Sequence, residues 1–404
     1  LSFIGTYDYV GIWPLAISYT GLLFIVILFQ LNQNFIKKLE DNLSFQNVFI
    51  IISPVFFIFW VFQFRNDLQS FSFWTVGDDW SGFQYFARKI VLENDWLRGG
   101  EGIFYFRPLI RYLIAFQHIL FGDSSFALKF IDVWSIIISS LIVYKLLKLK
   151  NCSNYLSFIA LLIILIIFTG ENFRYLVGRG LSEYFGMLIM MLFFYYLYDN
   201  KIYPNFKLIL LVLSISIIPY TREEKIFVAI ALIFLTSNFQ EIKEKKQNIF
   251  STLITFFTTN HKNILIYISV LFLMFPVLFE FRNYMVAGYF SLTSHEFVNQ
   301  GTFQGGFNSY YKMLTAETYP NFPRVTSIFL LSSFFISLLI IIIPKYYKLF
   351  DIRFSIILLS IIIPTVFHEI HAYNPRYVIY SLPLSVLIFF YFINTYFKKI
   401  KIII

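Results

Sequence analysis

The 404 residues are 58% hydrophobic, 22% aromatic and only 14% charged, with a mean hydropathy of +0.70. A soluble globular chain carries about 25% charged residues, so these charges cannot cover two or three water-facing domains. Disordered, fibrous and disulfide-rich secreted classes are excluded, and a protein crossing a membrane many times is implied. The single cysteine, Cys152, permits neither an internal disulfide nor a cysteine-built metal site. The net charge of +9 suits topology signals better than nucleic acid, because the lysines stand beside apolar stretches.

A bilayer core about 30 Å thick takes roughly 20 apolar residues in a helix. In chain order, eleven segments are expected as spans: 10–30, 47–64, 125–148, 153–169, 181–198, 205–219, 226–238, 263–281, 324–343, 354–367 and 376–397. The first shows no cleavable-signal pattern, and the sequence opens on Leu1 rather than Met, which leaves room for a longer N-terminus. Residues 104–121 are apolar but carry Arg107, Arg111 and His118, as an amphipathic helix at the membrane interface would. The expectation is an all-α polytopic bundle, a single membrane domain over 1–404, with two large outer segments at 65–124 and 282–323.

Orientation follows from lysine. Placing 31–46 on the cytoplasmic side and alternating from there gives that side 16 Lys and 1 Arg, and the other side 11 Arg and 4 Lys. The totals are close, but the residue types separate. Guanidinium grips phosphate through two parallel hydrogen bonds, which a lysine ammonium does not. An outer face with Arg88, Arg98, Arg107, Arg111, Arg174, Arg179, Arg222, Arg282 and Arg376 therefore suits an anion. The alternative is pairing with acids on the same side, such as Glu93, Asp95, Glu171 and Glu223.

The densest chemistry lies after the second span, in Thr75-Val76-Gly77-Asp78-Asp79-Trp80. Adjacent carboxylates repel unless something uses them. One can act as general base on an attacking hydroxyl, or the pair can bind a hard divalent cation, or the stretch is simply a helix start. Downstream come Asn94-Asp95-Trp96, the glycine turn Gly99-Gly100-Glu101-Gly102, Phe106-Arg107-Pro108-Leu109, and Gly122-Asp123-Ser124-Ser125-Phe126-Ala127-Leu128-Lys129. Near the end stand Asn374-Pro375-Arg376-Tyr377 and Leu382-Pro383-Leu384.

This order of features resembles the lipid-linked-sugar glycosyltransferases of the GT-C membrane fold, of the protein-mannosyltransferase and aminoarabinose-transferase type (glycosyltransferase family 39-like). The resemblance implies that Asp78 is the catalytic acid–base residue and that Asp79 takes the place of the family's usual Glu. Arg107-Pro108-Leu109 stands where a Pro-Pro-Leu turn belongs, and Lys129 holds the basic position opening the next span. Arg107, Lys129, Arg282 and Arg376 are then the expected donor-phosphate contacts. Arg174, Arg179, Glu183 and Trp80 are the expected cavity and acceptor residues. The implied activity moves a monosaccharide from an undecaprenyl- or dolichyl-phosphate carrier to lipid A, a glycan, a lipid or a protein. The site would face the periplasm or outside of an inner-membrane protein, with no cofactor required and a divalent cation an option at Asp78/Asp79. A single base implies inversion at the anomeric carbon.

Other signals compete. His368, Glu369 and His371 approach a zincin pattern but with the wrong spacing, and with His295 and Glu296 they read better as wet loop residues than as a metal site. An O-antigen polymerase or ligase would use outer arginines without the acidic pair. A transporter or lipid flippase would place ionisable groups deep in the spans, where Asp132 and Glu280 are the nearest examples.

Overall fold

The computed structural model describes residues 44–63, 79–96, 108–121, 125–170, 173, 176–178, 182–199, 204–221, 226–235, 266, 270, 281, 284–285, 324–342 and 379–403. Among these residues there are no strands and ten helices of ten residues or more: α1 Phe45–Gln63, α2 Asp79–Leu92, α3 Pro108–Phe121, α4 Ser125–Leu149, α5 Asn154–Thr169, α6 Glu183–Tyr198, α7 Pro204–Thr221, α8 Ile226–Leu235, α9 Arg324–Ile342 and α10 Leu382–Ile403. Eight of the expected spans fall on described helices, and those at 10–30, 263–281 and 354–367 lie largely or wholly outside the described residues. One described helix, Lys129–Leu149, is long and apolar enough by itself to cross a membrane, and several of the others are shorter apolar helices.

The chain forms two compact units. The first comprises 1–72, 123–191 and 300–404, and the second 73–122 and 192–299.

In the first unit α4 and α5 make a tight helical hairpin. Asn151 adopts a left-handed φ of 59°, its N–H donates to Lys148 O at 3.0 Å, and Cys152 N–H donates to Leu147 O at 3.0 Å. This is the Schellman arrangement, which satisfies the carbonyls a helix end leaves open. Ser153 then caps α5, its Oγ accepting from Leu156 N–H at 3.2 Å. The chain thus reverses in a few residues, and α4 and α5 pack along their length.

Helix α1 lies antiparallel to α4. Phe45, at its start, meets the ring of Tyr144, whereas Phe57, near its end, stacks on Trp134 at 5.6 Å. Its buried face is Val48, Ser53, Phe56 and Trp60, and its opposite face exposes Phe49, Ile50, Val55 and Phe59. An exposed row that apolar is what lipid contact requires.

Helix α10 packs against α4, α5 and α9. Buried serines recur four residues apart: Ser135 and Ser139 on α4, Ser333 and Ser337 on α9, and Ser385 on α10 with Ser381 in the turn just before it. Small residues one helical turn apart let backbones approach closely, the device that replaces hydrophobic driving force between helices in lipid. Phe329 fills the space beside them, edge-on to Phe389 at 5.1 Å.

The second unit holds α2, α3, α7, α8 and the end of α6. Phe83, Ala87 and Ile90 of α2 are buried, as are Ile110, Ile114 and Ala115 of α3, and the two helices pack together. Pro108 opens α3, a position where its missing N–H costs nothing. The turn after α2 is tied to α3 where Tyr112 Oη donates to Trp96 O and the two rings stack. Arg111, expected on an anion-facing surface, is wholly buried with its guanidinium 6.0 Å from the Phe86 ring centroid.

The serine contacts give a test. Ser385 Oγ has no hydrogen-bond partner among the described residues, so Ser385→Ala should leave thermal stability in detergent almost unchanged. Ser385→Leu should lower stability by about 1–3 kcal/mol through overpacking, measured by the thermal unfolding midpoint of the purified protein.

Candidate active site

The head of α4 carries an unusual concentration of charge for an apolar bundle. Lys129 is 7% exposed and Asp132 2%, and they stand three residues apart on one face of the helix. Below them the same face continues through the buried Ser135 and Ser139. Ionisable groups in such a setting are expensive and need compensating partners.

The partners come from the connection between α5 and α6. Helix α5 ends at Thr169, and Gly170 N–H donates to Ile167 O at 3.0 Å. The chain then folds inward, burying Phe173, Leu176 and Val177 almost completely. Phe173 meets the Phe168 ring edge-on at 5.4 Å, and Phe168 meets Tyr184 in the same way at 5.7 Å. Tyr184 Oη donates to the Phe173 carbonyl at 2.7 Å. Three aromatic residues and one hydrogen bond thereby hold this turn against the start of α6.

At its end the turn reaches α4. Gly178 adopts a φ of 81°, in the left-handed region that glycine tolerates without strain. In that conformation its N–H donates to Asp132 Oδ2 at 2.9 Å, a buried bond across 46 residues of sequence. The missing side chain of Gly178 is also required sterically. A Cβ there would overlap Lys129 Cγ and lie 3.0 Å from Lys129 Cε. Gly178 therefore meets both charged residues of α4, one through its amide and one through its bare α-carbon.

Glu183, at 2% exposure, lies in the first turn of α6, where the helix dipole favours a carboxylate. It is close enough to Asp132 for the two carboxyl groups to act on each other electrostatically. Glu183, expected in the acceptor cavity, thus lies within electrostatic reach of Asp132, while Lys129, expected at the donor phosphate, stands three residues before Asp132 with its stem on Gly178. Beside them the Tyr380 ring, 2% exposed, fills the notch left by Gly186, where a Cβ would overlap it.

Of the other expected site residues, Asp79 and Trp80 occupy the first turn of α2, in the second unit. Asp78, Arg107, Arg174, Arg179, Arg282 and Arg376 lie outside the described residues, as do His295, Glu296, His368, Glu369 and His371. Sequence reasoning passed over Asp132 and Gly178 as site residues. The available signal was an acid three residues after a lysine at the head of a span.

The helical architecture of the described residues agrees with the expected GT-C-type fold, and a solved structure supports it. The chain shares its fold with ArnT from Cupriavidus metallidurans, whose crystal structure is bound to undecaprenyl phosphate. The match has a TM-score of 0.54 at 10% sequence identity, and covers 84% of this chain. It covers 59% of ArnT, so the chain spans somewhat more than half the length of that protein. No family model matches the sequence, and no curated protein matches it in sequence.

The aromatic clasp makes a prediction separate from the charges. Tyr184→Phe removes one of two donors to the buried Phe173 carbonyl, which also accepts from Leu176 N–H at 3.0 Å, and should cost about 0.5–1.5 kcal/mol of stability. Hydrogen–deuterium exchange should quicken locally at residues 176–178, with the rest of the first unit unaffected.

Proposed function

We propose that the protein is a membrane glycosyltransferase that takes a monosaccharide from a polyprenyl-phosphate carrier and places it on a lipid, glycan or protein acceptor. Its site faces away from the cytoplasm, and transfer inverts the anomeric centre. One observation carries the reading: a buried Lys129–Asp132–Glu183 group stands at the head of a membrane-length helix. It does so in a chain with the fold of a protein crystallised with undecaprenyl phosphate.

The chemistry assigns roles to the residues. The acceptor hydroxyl oxygen attacks the anomeric carbon as the carbon–oxygen bond to phosphate breaks. The bonding pair leaves with the phosphate, and the hydroxyl proton passes to a carboxylate. Asp78 is that base, with Asp79 at the helix start holding its surroundings polar or binding a divalent cation. Negative charge grows on the departing phosphate, so fixed cations aimed there stabilise the transition state most where water is excluded. Lys129, Arg107, Arg282 and Arg376 take this role. Arg174, Arg179, Glu183 and Trp80 line the acceptor side, with Trp80 able to stack on a sugar face. The apolar faces between helices accommodate the isoprenoid tail.

Because a single phosphate can be neutralised by guanidinium and ammonium alone, the reaction needs no metal to proceed. Asp78→Asn should lower sugar transfer by about 10²–10⁴-fold while the protein still inserts and unfolds at its normal temperature. The measurement is transfer of a radiolabelled sugar from a synthetic polyprenyl-phosphate donor in proteoliposomes. Full turnover by the variant would remove the base assignment. Loss of activity only on replacing Arg282 and Arg376 would favour a polymerase or ligase of lipid-linked glycans instead.

A further inference from the structure

The contact between α4 and the turn before α6 goes beyond a structural tie. Asp132 accepts the Gly178 amide at 2.9 Å, and the Lys129 stem lies over the same glycine. One residue of the turn thus fixes two residues of the helix. The acceptor is a side chain that an apolar bundle would otherwise exclude, since a turn amide can be satisfied by a neutral serine, a carbonyl or a capping residue. Gly178 is likewise exacting: its left-handed φ and the space above it both forbid a side chain. A turn needed only for packing would not require its glycine directly beneath a lysine.

Lysine is a poor choice for a fixed cation, because its four-carbon stem is flexible and its ammonium carries no directional fork. Fixing it requires that the stem be packed. The bare Gly178 surface packs it along Cγ, Cδ and Cε, and the Asp132 bond keeps that surface where it is. We propose that Asp132 is a positioning residue for the carrier phosphate: it holds the Gly178 amide, and through it the floor on which Lys129 is aligned.

This rests on the reading of the protein as a polyprenyl-phosphate enzyme, and the test separates the two. Binding of undecaprenyl phosphate and of undecaprenol, its phosphate-free counterpart, is measured on the full-length protein in nanodiscs. Wild type, Asp132→Ala and Asp132→Asn are compared, with the thermal midpoint of each recorded. The wild type should prefer the phosphate. Asp132→Ala should weaken undecaprenyl phosphate about tenfold, the order of one charge-assisted contact, and leave undecaprenol unchanged. Asp132→Asn retains an oxygen that can accept the Gly178 N–H and should recover most of the affinity. Equal affinity in Asp132→Ala would overturn the assignment, as would an equal loss for both lipids or an equal loss in the two variants. No preference for phosphate in the wild type would overturn the carrier reading itself and this proposal with it. If Asp132→Ala does not fold, Gly178→Ala tests the same floor from the loop side. It should weaken the phosphate and spare the alcohol, and the reverse pattern would count against the proposal.

Discussion

The structure depends on how an apolar helical bundle holds ionisable groups at its edge. In hydrocarbon, charge persists only where each group meets a partner or a dipole. At the head of α4 the Gly178 amide meets the Asp132 carboxyl, and the Lys129 stem packs on the bare face of the same glycine. The arrangement is possible only because the α5–α6 turn is driven inward by Phe173, Leu176 and Val177 and clasped by Tyr184. Apolar packing thus delivers a polar amide to a place where it can hold a buried carboxylate.

The rest of the first unit serves that end. The Schellman stop at Asn151 sends α5 straight back along α4, so that its far end emerges near the head of α4, where the turn must begin. Helix α10 packs against both α4 and α9, and all three helices bury small serines, the kind of residue that permits close helix approach in lipid. Glu183, at the dipole-favoured start of α6, then faces the group that the turn has assembled.

Much of this architecture could be read from the residues alone. The apolar lengths between Lys-rich and Arg-rich segments gave helices whose ends agree closely with α1, α4, α5, α6, α7 and α9. The resemblance carried by Asp78-Asp79 and Arg107-Pro108-Leu109 led to the fold found in ArnT, and Pro108 does open a helix. Glu183 drew notice because charge beside an apolar stretch is conspicuous, and Lys129 because it stands at the basic position that the resemblance marks. The tie between α4 and the turn before α6 was not legible, because it depends on a chain separation of 46 closing between Asp132 and Gly178. Asp132 carried a visible signal but one that fits a transported ion as well as a held amide. Gly178 carried none, since a glycine among Gly170, Gly178 and Gly180 declares its backbone angle only in three dimensions. Arg111 misled in the opposite direction: its charge suggested an open face, whereas its ring contact with Phe86 lies within the α2–α3 pair.

The central claim is that the charged head of α4 receives the phosphate end of a lipid carrier. Photo-crosslinking addresses it most directly, using a polyprenyl phosphate with a diazirine on its first isoprene unit, followed by peptide mapping. The account predicts labelled peptides from the start of α4 and from the α5–α6 turn, competed away by unlabelled undecaprenyl phosphate. Label confined to lipid-facing α1 residues such as Ile50 and Val55, and indifferent to competitor, would contradict it.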